Sequence, residues 1–183
     1  MKKLIAFCLC ICMALGCFAA CNPSGGPGGE TTSSNPSNKL PEKNYLVNED
    51  GVLVSCIGQA DENGVYVVPE NITMIAESAF AGDTSLKEIV IGSNVKTIGS
   101  GAFQYCPSLK KVTICEGVEI IGSHAFSYCE NLKEISLPST VKSLGESAFC
   151  YCTGLEEISL KHIRSIGEAA FINCYSLERV EFS

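Results

Sequence analysis

The 183-residue sequence predicts an α+β repeat solenoid with short strands and one short helical or 3-10 turn per 22–23-residue repeat, five repeats in all. Three observations predict it. Phe80, Phe103, Phe126, Phe149 and Phe171 follow one another at 23, 23, 23 and 22 residues. Each is preceded by Ala and followed six residues later by Leu (Leu86, Leu109, Leu132, Leu155, Leu177). Nine residues after each Phe stands Ile or Val, and eleven after it an apolar residue (Ile91, Ile114, Leu137, Leu160, Phe182), the alternation of a strand. A fixed period of this length means stacked units, none of which can bury its apolar face alone.

Taken in order, Met1-Lys2-Lys3 is a basic start, and Leu4 to Ala20 is an uncharged run of apolar and small residues. That is the layout of a secretory signal over residues 1–20. At 17 residues the run is short for an uncleaved spanning helix, the competing reading. Cys17 and Cys21 both follow small residues, and the arrangement resembles bacterial lipoprotein signals, in which the cysteine is lipidated and becomes the mature N-terminus. Cys21 is the preferred lipidation site, because the chain becomes polar only at Asn22; plain secretion after Ala20 is the alternative. Residues 21–44 are rich in Gly, Pro, Ser, Thr and Asn and lack the apolar content for a core. They read as a disordered tether reaching about 25–30 Å as a flexible coil.

Residues 45–183 form the predicted repeat domain, with residues 45–65 as its N-terminal cap. Glu49-Asp50-Gly51 is a turn signal between short apolar runs and predicts a hairpin. Asp61-Glu62-Asn63-Gly64 is a second turn before Tyr66 and Val68, which align with Ile89 and Ile91. Ala76 and Asp83 stand where later repeats have Gly and Cys, departures expected of a first turn that partly faces solvent.

Within one repeat, Leu132 to Leu137 alternates as a strand that Pro138 ends, and Val141 to Leu144 makes a second short extended pass. Gly145 turns the chain, and the spacing of Ala148, Phe149 and Cys152 predicts the helical or 3-10 turn. The fourth connection, Leu160-Lys161-His162-Ile163, is one residue short, a change that a loop absorbs.

The pattern Ile-x-x-Ile-Gly-x-x-Ala-Phe-x-x-Cys-x-x-Leu-x-x-Ile-x-Ile/Leu-Pro closely resembles BspA-like leucine-rich repeats. Ile121, Gly122, Ala125, Phe126, Cys129, Leu132, Ile135, Leu137 and Pro138 all match it. The resemblance runs from about Tyr45 to Ser183. It implies a leucine-rich repeat fold and a secreted or surface protein of a host-associated microbe, with binding to extracellular matrix or other cells as an expectation.

Cys106, Cys129, Cys152 and Cys174 share one repeat position, three after Phe. Rungs about 4.8 Å apart carry parallel side chains, so Cβ atoms sit too far apart for a relaxed disulfide, and the four read as small buried hydrophobes. A straight ladder without Cys-x-x-Cys is not a zinc site. Removing Lys2 and Lys3 with the signal leaves 11 basic against 20 acidic residues, net −9. That balance argues against nucleic acid and against a basic membrane-binding face, leaving the lipid anchor as the only membrane contact. His124 and His162 lie outside any metal-ligand spacing, Gly99-Ser100-Gly101 is no nucleophile elbow, and Gly25 to Gly29 is no phosphate loop. The sequence therefore reads as a non-enzyme without cofactor or metal.

What remains is surface. The outward strand positions Glu88/Val90, Lys111/Thr113, Glu134/Ser136, Glu157/Ser159 and Arg179/Glu181 predict two parallel columns, the candidate partner-binding face. Tyr105, Tyr128 and Tyr151 predict a further column, able to bind a sugar or apolar patch or to pack half-buried between turns. Phe182-Ser183 follows a strand with no polar closing unit, so this edge is expected to associate with another copy or to be poorly ordered. Two functions fit: a cell-envelope-anchored adhesion module binding a host-matrix or neighbouring-cell protein, or a structural module of the envelope without a diffusible ligand.

Overall fold

The computed structural model describes residues 45–182. The expected signal, the Cys21 anchor and the tether lie outside the described residues. Thirteen short strands wind into a solenoid. β1 (Leu46–Val47) and β2 (Val52–Ser55) form an antiparallel hairpin closed by Asn48, whose Oδ1 accepts the N–H groups of Asp50 and Val52. β3 (Val65–Val67) follows the Asp61 turn, in which Asp61 Oδ1 accepts the Asn63 and Val65 N–H groups. The chain then alternates between two sheets through β4 (Met74–Ile75), β5 (Glu88–Ile91), β6 (Thr97–Ile98), β7 (Lys111–Ile114) and β8 (Ile120–Ile121). It continues through β9 (Glu134–Ser136), β10 (Ser143–Leu144), β11 (Glu157–Ser159), β12 (Ser165–Ile166) and β13 (Arg179–Glu181).

One sheet has the order β1-β2-β4-β6-β8-β10-β12, parallel from β2 onward. The other side carries β3-β5-β7-β9 as one parallel sheet and β11-β13 as a second. The ladder is thus interrupted between β9 and β11, and Ile135 and Leu137 there are only half-buried while Ile89, Val112 and Ile158 are buried. Each side has six rungs, one more than the five Phe-centred repeats, because β2 and β3 build a coil ahead of Phe80.

The core is a set of columns. Phe80, Phe103, Phe126, Phe149 and Phe171 stack with ring centroids 4.8–5.4 Å apart and planes within 19°. Tyr66 closes the top of the column edge-on at 5.3 Å. The ring spacing follows the rung spacing, so each phenylalanine rests on the next at contact distance.

The expected helical or 3-10 turn does not form: the described residues contain no helix. Backbone dihedrals explain why. Two positions in every coil, two before and two after Phe, have positive φ: His124 (56°) and Tyr128 (60°) in the third Phe coil, with Ser78, Tyr105, Ser147, Tyr151, Ala169, Asn173, Gly82 and Gly101 at the equivalents. A left-handed residue every fourth position cannot continue a right-handed helix. N–H groups therefore alternate between local turns and the next coil: Ser127 and Cys129 bond back to His124 and Phe126 carbonyls, while His124, Phe126 and Tyr128 donate to Glu146, Ala148 and Cys150. The segment is a third ladder made of turns.

Asp83 also departs from expectation, being 2 % exposed rather than facing solvent. Its carboxylate accepts the Gly58 N–H at 2.7 Å, the Ser85 N–H and hydroxyl at 2.8 and 2.7 Å, and the Leu86 N–H at 3.1 Å. It ties the cap loop to the first coil.

Candidate functional site

Alternation along each strand turns one set of side chains into the core and the other outward. Register then aligns the outward set between coils. Glu88, Lys111 and Glu134 form one column and Val90, Thr113 and Ser136 the other, with Val65 and Val67 heading them. Glu157 and Ser159 align with Arg179 and Glu181 in the second ladder. All ten residues are half-buried or exposed, but the interruption after β9 divides them six and four. Val65 and Val67 were missing from the sequence-derived list, although they obey the same alternation.

Three ion pairs lie on or beside this face. Lys111 Nζ lies 3.5 Å from Glu134 Oε2. Arg179 donates from Nε and Nη2 to Glu157 Oε2 at 2.9 and 2.7 Å, and these bonds raise its guanidinium pKa above the usual value. Lys161 lies 2.9 Å from Glu181, whose carboxyl is lowered by hydrogen bonding to Lys161 and then to Ser159. The second column is uncharged and built of short side chains from Val67 through Val90, Thr113 and Ser136, and in the second ladder it runs from Ser159 to the charged Glu181. Over β3 to β9 a partner would meet a narrow neutral track beside a row of charged side chains.

Tyr105, Tyr128 and Tyr151 stack at 4.6 and 4.5 Å, with Tyr105 54 % exposed and the other two half-buried. Desolvation first, then the neighbouring phenols, push the Tyr128 hydroxyl pKa up. The rings stack face to face, with planes 21° and 9° apart. His124 and His162 are exposed, in different coils. Among the described residues no group of three or more His, Cys, Asp or Glu could hold a metal ion. The arrangement offers shape, hydrogen bonds and apolar contact.

Residues 66–183 match the model of the BspA type leucine rich repeat region, in six copies. The chain belongs to that family. The six copies agree with the six rungs β3, β5, β7, β9, β11 and β13 on one side of the solenoid. Its fold is similar to that of a leucine rich cell surface protein from Faecalibacterium prausnitzii, at 27% identity and TM-score 0.69 over 76% of this chain and 37% of that one. It is similar to the Treponema pallidum leucine rich repeat protein, at 28% identity and TM-score 0.69 over 74% and 66%. A leucine-rich repeat protein from Bacteroides ovatus matches at 33% identity and TM-score 0.63 over 75% and 39%. The chain thus spans less than two thirds of the length of these proteins. No curated protein matches it.

Proposed function

We propose that this BspA-type chain is a non-catalytic, extracytoplasmic adhesion module, held to the cell envelope by a lipid on Cys21 and binding a host-matrix or neighbouring-cell protein. The observation that carries the reading is the strand face. Glu88, Val90, Lys111, Thr113, Glu134 and Ser136 stand in register on one ladder and Glu157, Ser159, Arg179 and Glu181 on a second, all of them half-buried or exposed. Regular solenoid faces of this kind serve protein recognition. The cell-surface designation of the Faecalibacterium relative supports the location.

Purified residues 45–183 are expected to bind at least one protein of a matrix panel, and Glu134→Lys with Glu157→Lys is expected to weaken that binding. Binding nowhere favours the structural-module alternative, and binding indifferent to the reversal discards this face. Lipid labelling of the chain against Cys21→Ser tests the anchor, since equal labelling rules Cys21 out. Self-association is the further partner reading: Ile166, Ile172, Val180 and Phe182, in the coil of β12 and β13, are exposed. Sedimentation over a concentration series checks it, and an invariant monomer removes it.

A further inference from the structure

The residue just before each strand forms a column of its own. Lys110 N donates to Lys87 O at 2.8 Å and Lys133 N to Lys110 O at 3.0 Å, so the three lysines are stacked in successive coils, about 4.8 Å per step. All three are exposed, and the ion pairs of the described residues involve other cations, Lys111, Lys161 and Arg179. The strand segments of these coils hold four lysines against Glu88 and Glu134, and Glu134 is already engaged by Lys111. In the next two coils the column reverses sign: Glu178 N donates to Glu156 O at 3.0 Å. The molecule is acidic, at −7 over the whole sequence, yet charges farther than about 8 Å are screened at physiological salt. A local row of cations keeps its own field.

We propose that Lys87, Lys110 and Lys133 bind an anionic polysaccharide, a linear chain of sugars carrying sulfate or carboxylate groups. The row is one residue wide and regular, which suits a linear polyanion better than a membrane surface. An extended acidic peptide returns a side chain to the same face about every 6.6 Å, out of step with the lysines. Single-stranded nucleic acid needs aromatic rings beside its cationic track, whereas the Tyr105 stack lies across the Cys and Leu columns from the row. Two residues ahead of the lysines, and not buried, stand Ser85, Ser108 and Asn131; the Ser85 hydroxyl donates to Asp83 and the Asn131 amide to the Pro107 carbonyl, so Ser85 Oγ and Asn131 Oδ1 serve sugar hydroxyls as acceptors beside the Ser108 hydroxyl. The site uses residues outside the protein-binding face and does not rest on it.

The unit from Tyr45 to Ser183 contains the whole core and is compact by itself, so it is the species to test. Its affinity is measured for heparin, polygalacturonate, neutral dextran, polyglutamate and phosphatidylserine vesicles at low salt. Binding to heparin or polygalacturonate, weakening as salt rises, is expected, and which of the two is tighter separates sulfate from carboxylate recognition. Lys110→Gln is expected to weaken it about fivefold. The triple Lys87→Gln, Lys110→Gln, Lys133→Gln variant should lose it, while Lys96→Gln, on the opposite sheet, leaves it unchanged. Retention of the triple variant at wild-type strength overturns the proposal. So does failure to bind either polysaccharide, or tighter binding to polyglutamate or vesicles.

Discussion

Each cysteine three residues after a phenylalanine works as a donor as well as a filler. Cys106, Cys129 and Cys152 point Sγ at the Phe80, Phe103 and Phe126 carbonyls of the preceding coil at 3.1 Å, and Cys174 at Phe149 at 3.0 Å. Burial of Cys106, Cys129 and Cys152 was readable from apolar spacing, whereas Cys174 in the last coil is only half-buried; the bond was not readable, because spacing says nothing of which carbonyl the coil above leaves open. The same bond accounts for Asp83. Its coil lies next to the cap, which offers the Gly58 N–H instead of a carbonyl, so an acceptor replaces the donor. Cys129→Ala is expected to cost about 1–3 kcal/mol, because the Phe103 carbonyl stays buried without its donor, and Cys129→Ser to cost less. Urea midpoints of the two variants check this, and equal losses would mean that the thiol only fills space. Desolvation pushes the thiols of Cys56 and Cys174 up to about 11, and those of Cys129 and Cys152 are raised as well. Unfolded thiols titrate near ~8.5, so between there and about 11 the folded state holds more protons. This contribution is therefore complete below ~8.5 and is lost as pH rises through the folded values. The denaturation midpoint is expected to fall between pH 8 and pH 10.5, and a flat profile over that range contradicts it.

At the scale of the element, strands could be read from alternation, whereas the turn after each glycine could not. The spacing of Ala148, Phe149 and Cys152 fits a helical turn and equally fits two consecutive tight turns, and periodicity cannot separate them. Dihedrals decide, and Tyr, His, Ser and Asn at positive φ carry no dependable signature of that choice. The glycine column was legible by position but not by cause. A Cβ on Gly122 would lie 2.8 Å from both the Gly99 carbonyl carbon and the Ser100 nitrogen, backbone atoms of the coil above that cannot move aside. Ala76 heads this column, and its N–H bonds to the Leu53 carbonyl just as the Gly99 and Gly122 N–H groups bond to Ile75 and Ile98. Gly122→Ala is thus expected to destabilise by about 1–3 kcal/mol through overpacking, and Ser123→Ala, one residue away and half-buried, by much less. Thermal unfolding of the pair separates the two, and equal melting temperatures would refute the close approach.

For the molecule as a whole, the period implied a stack before any strand was placed, yet it hid the interruption between β9 and β11. Lys133 to Leu137 and Glu156 to Leu160 read alike, and only pairing between them tells the two rungs apart. A stack whose coils touch only their neighbours has a stability near the sum of unit and interface contributions, so an internal unit is dispensable if register is kept. Deleting Ser100 to Gly122 joins Gly99 to Ser123, and Gly99 and Gly122 occupy the same place in their coils. Phe126 would then follow Phe80 after 23 residues, and Cys129 would find the Phe80 carbonyl where it now finds that of Phe103. Cap and last coil are untouched. The shortened chain is expected to keep its β-sheet circular dichroism and to unfold in one transition at a lower temperature, since one stacked interface is gone. It should also lose Lys110 from the lysine row and so bind polysaccharide more weakly than the full stack. Loss of the sheet signal, or two separate transitions, would show that the third coil holds the structure in a way its neighbours cannot replace.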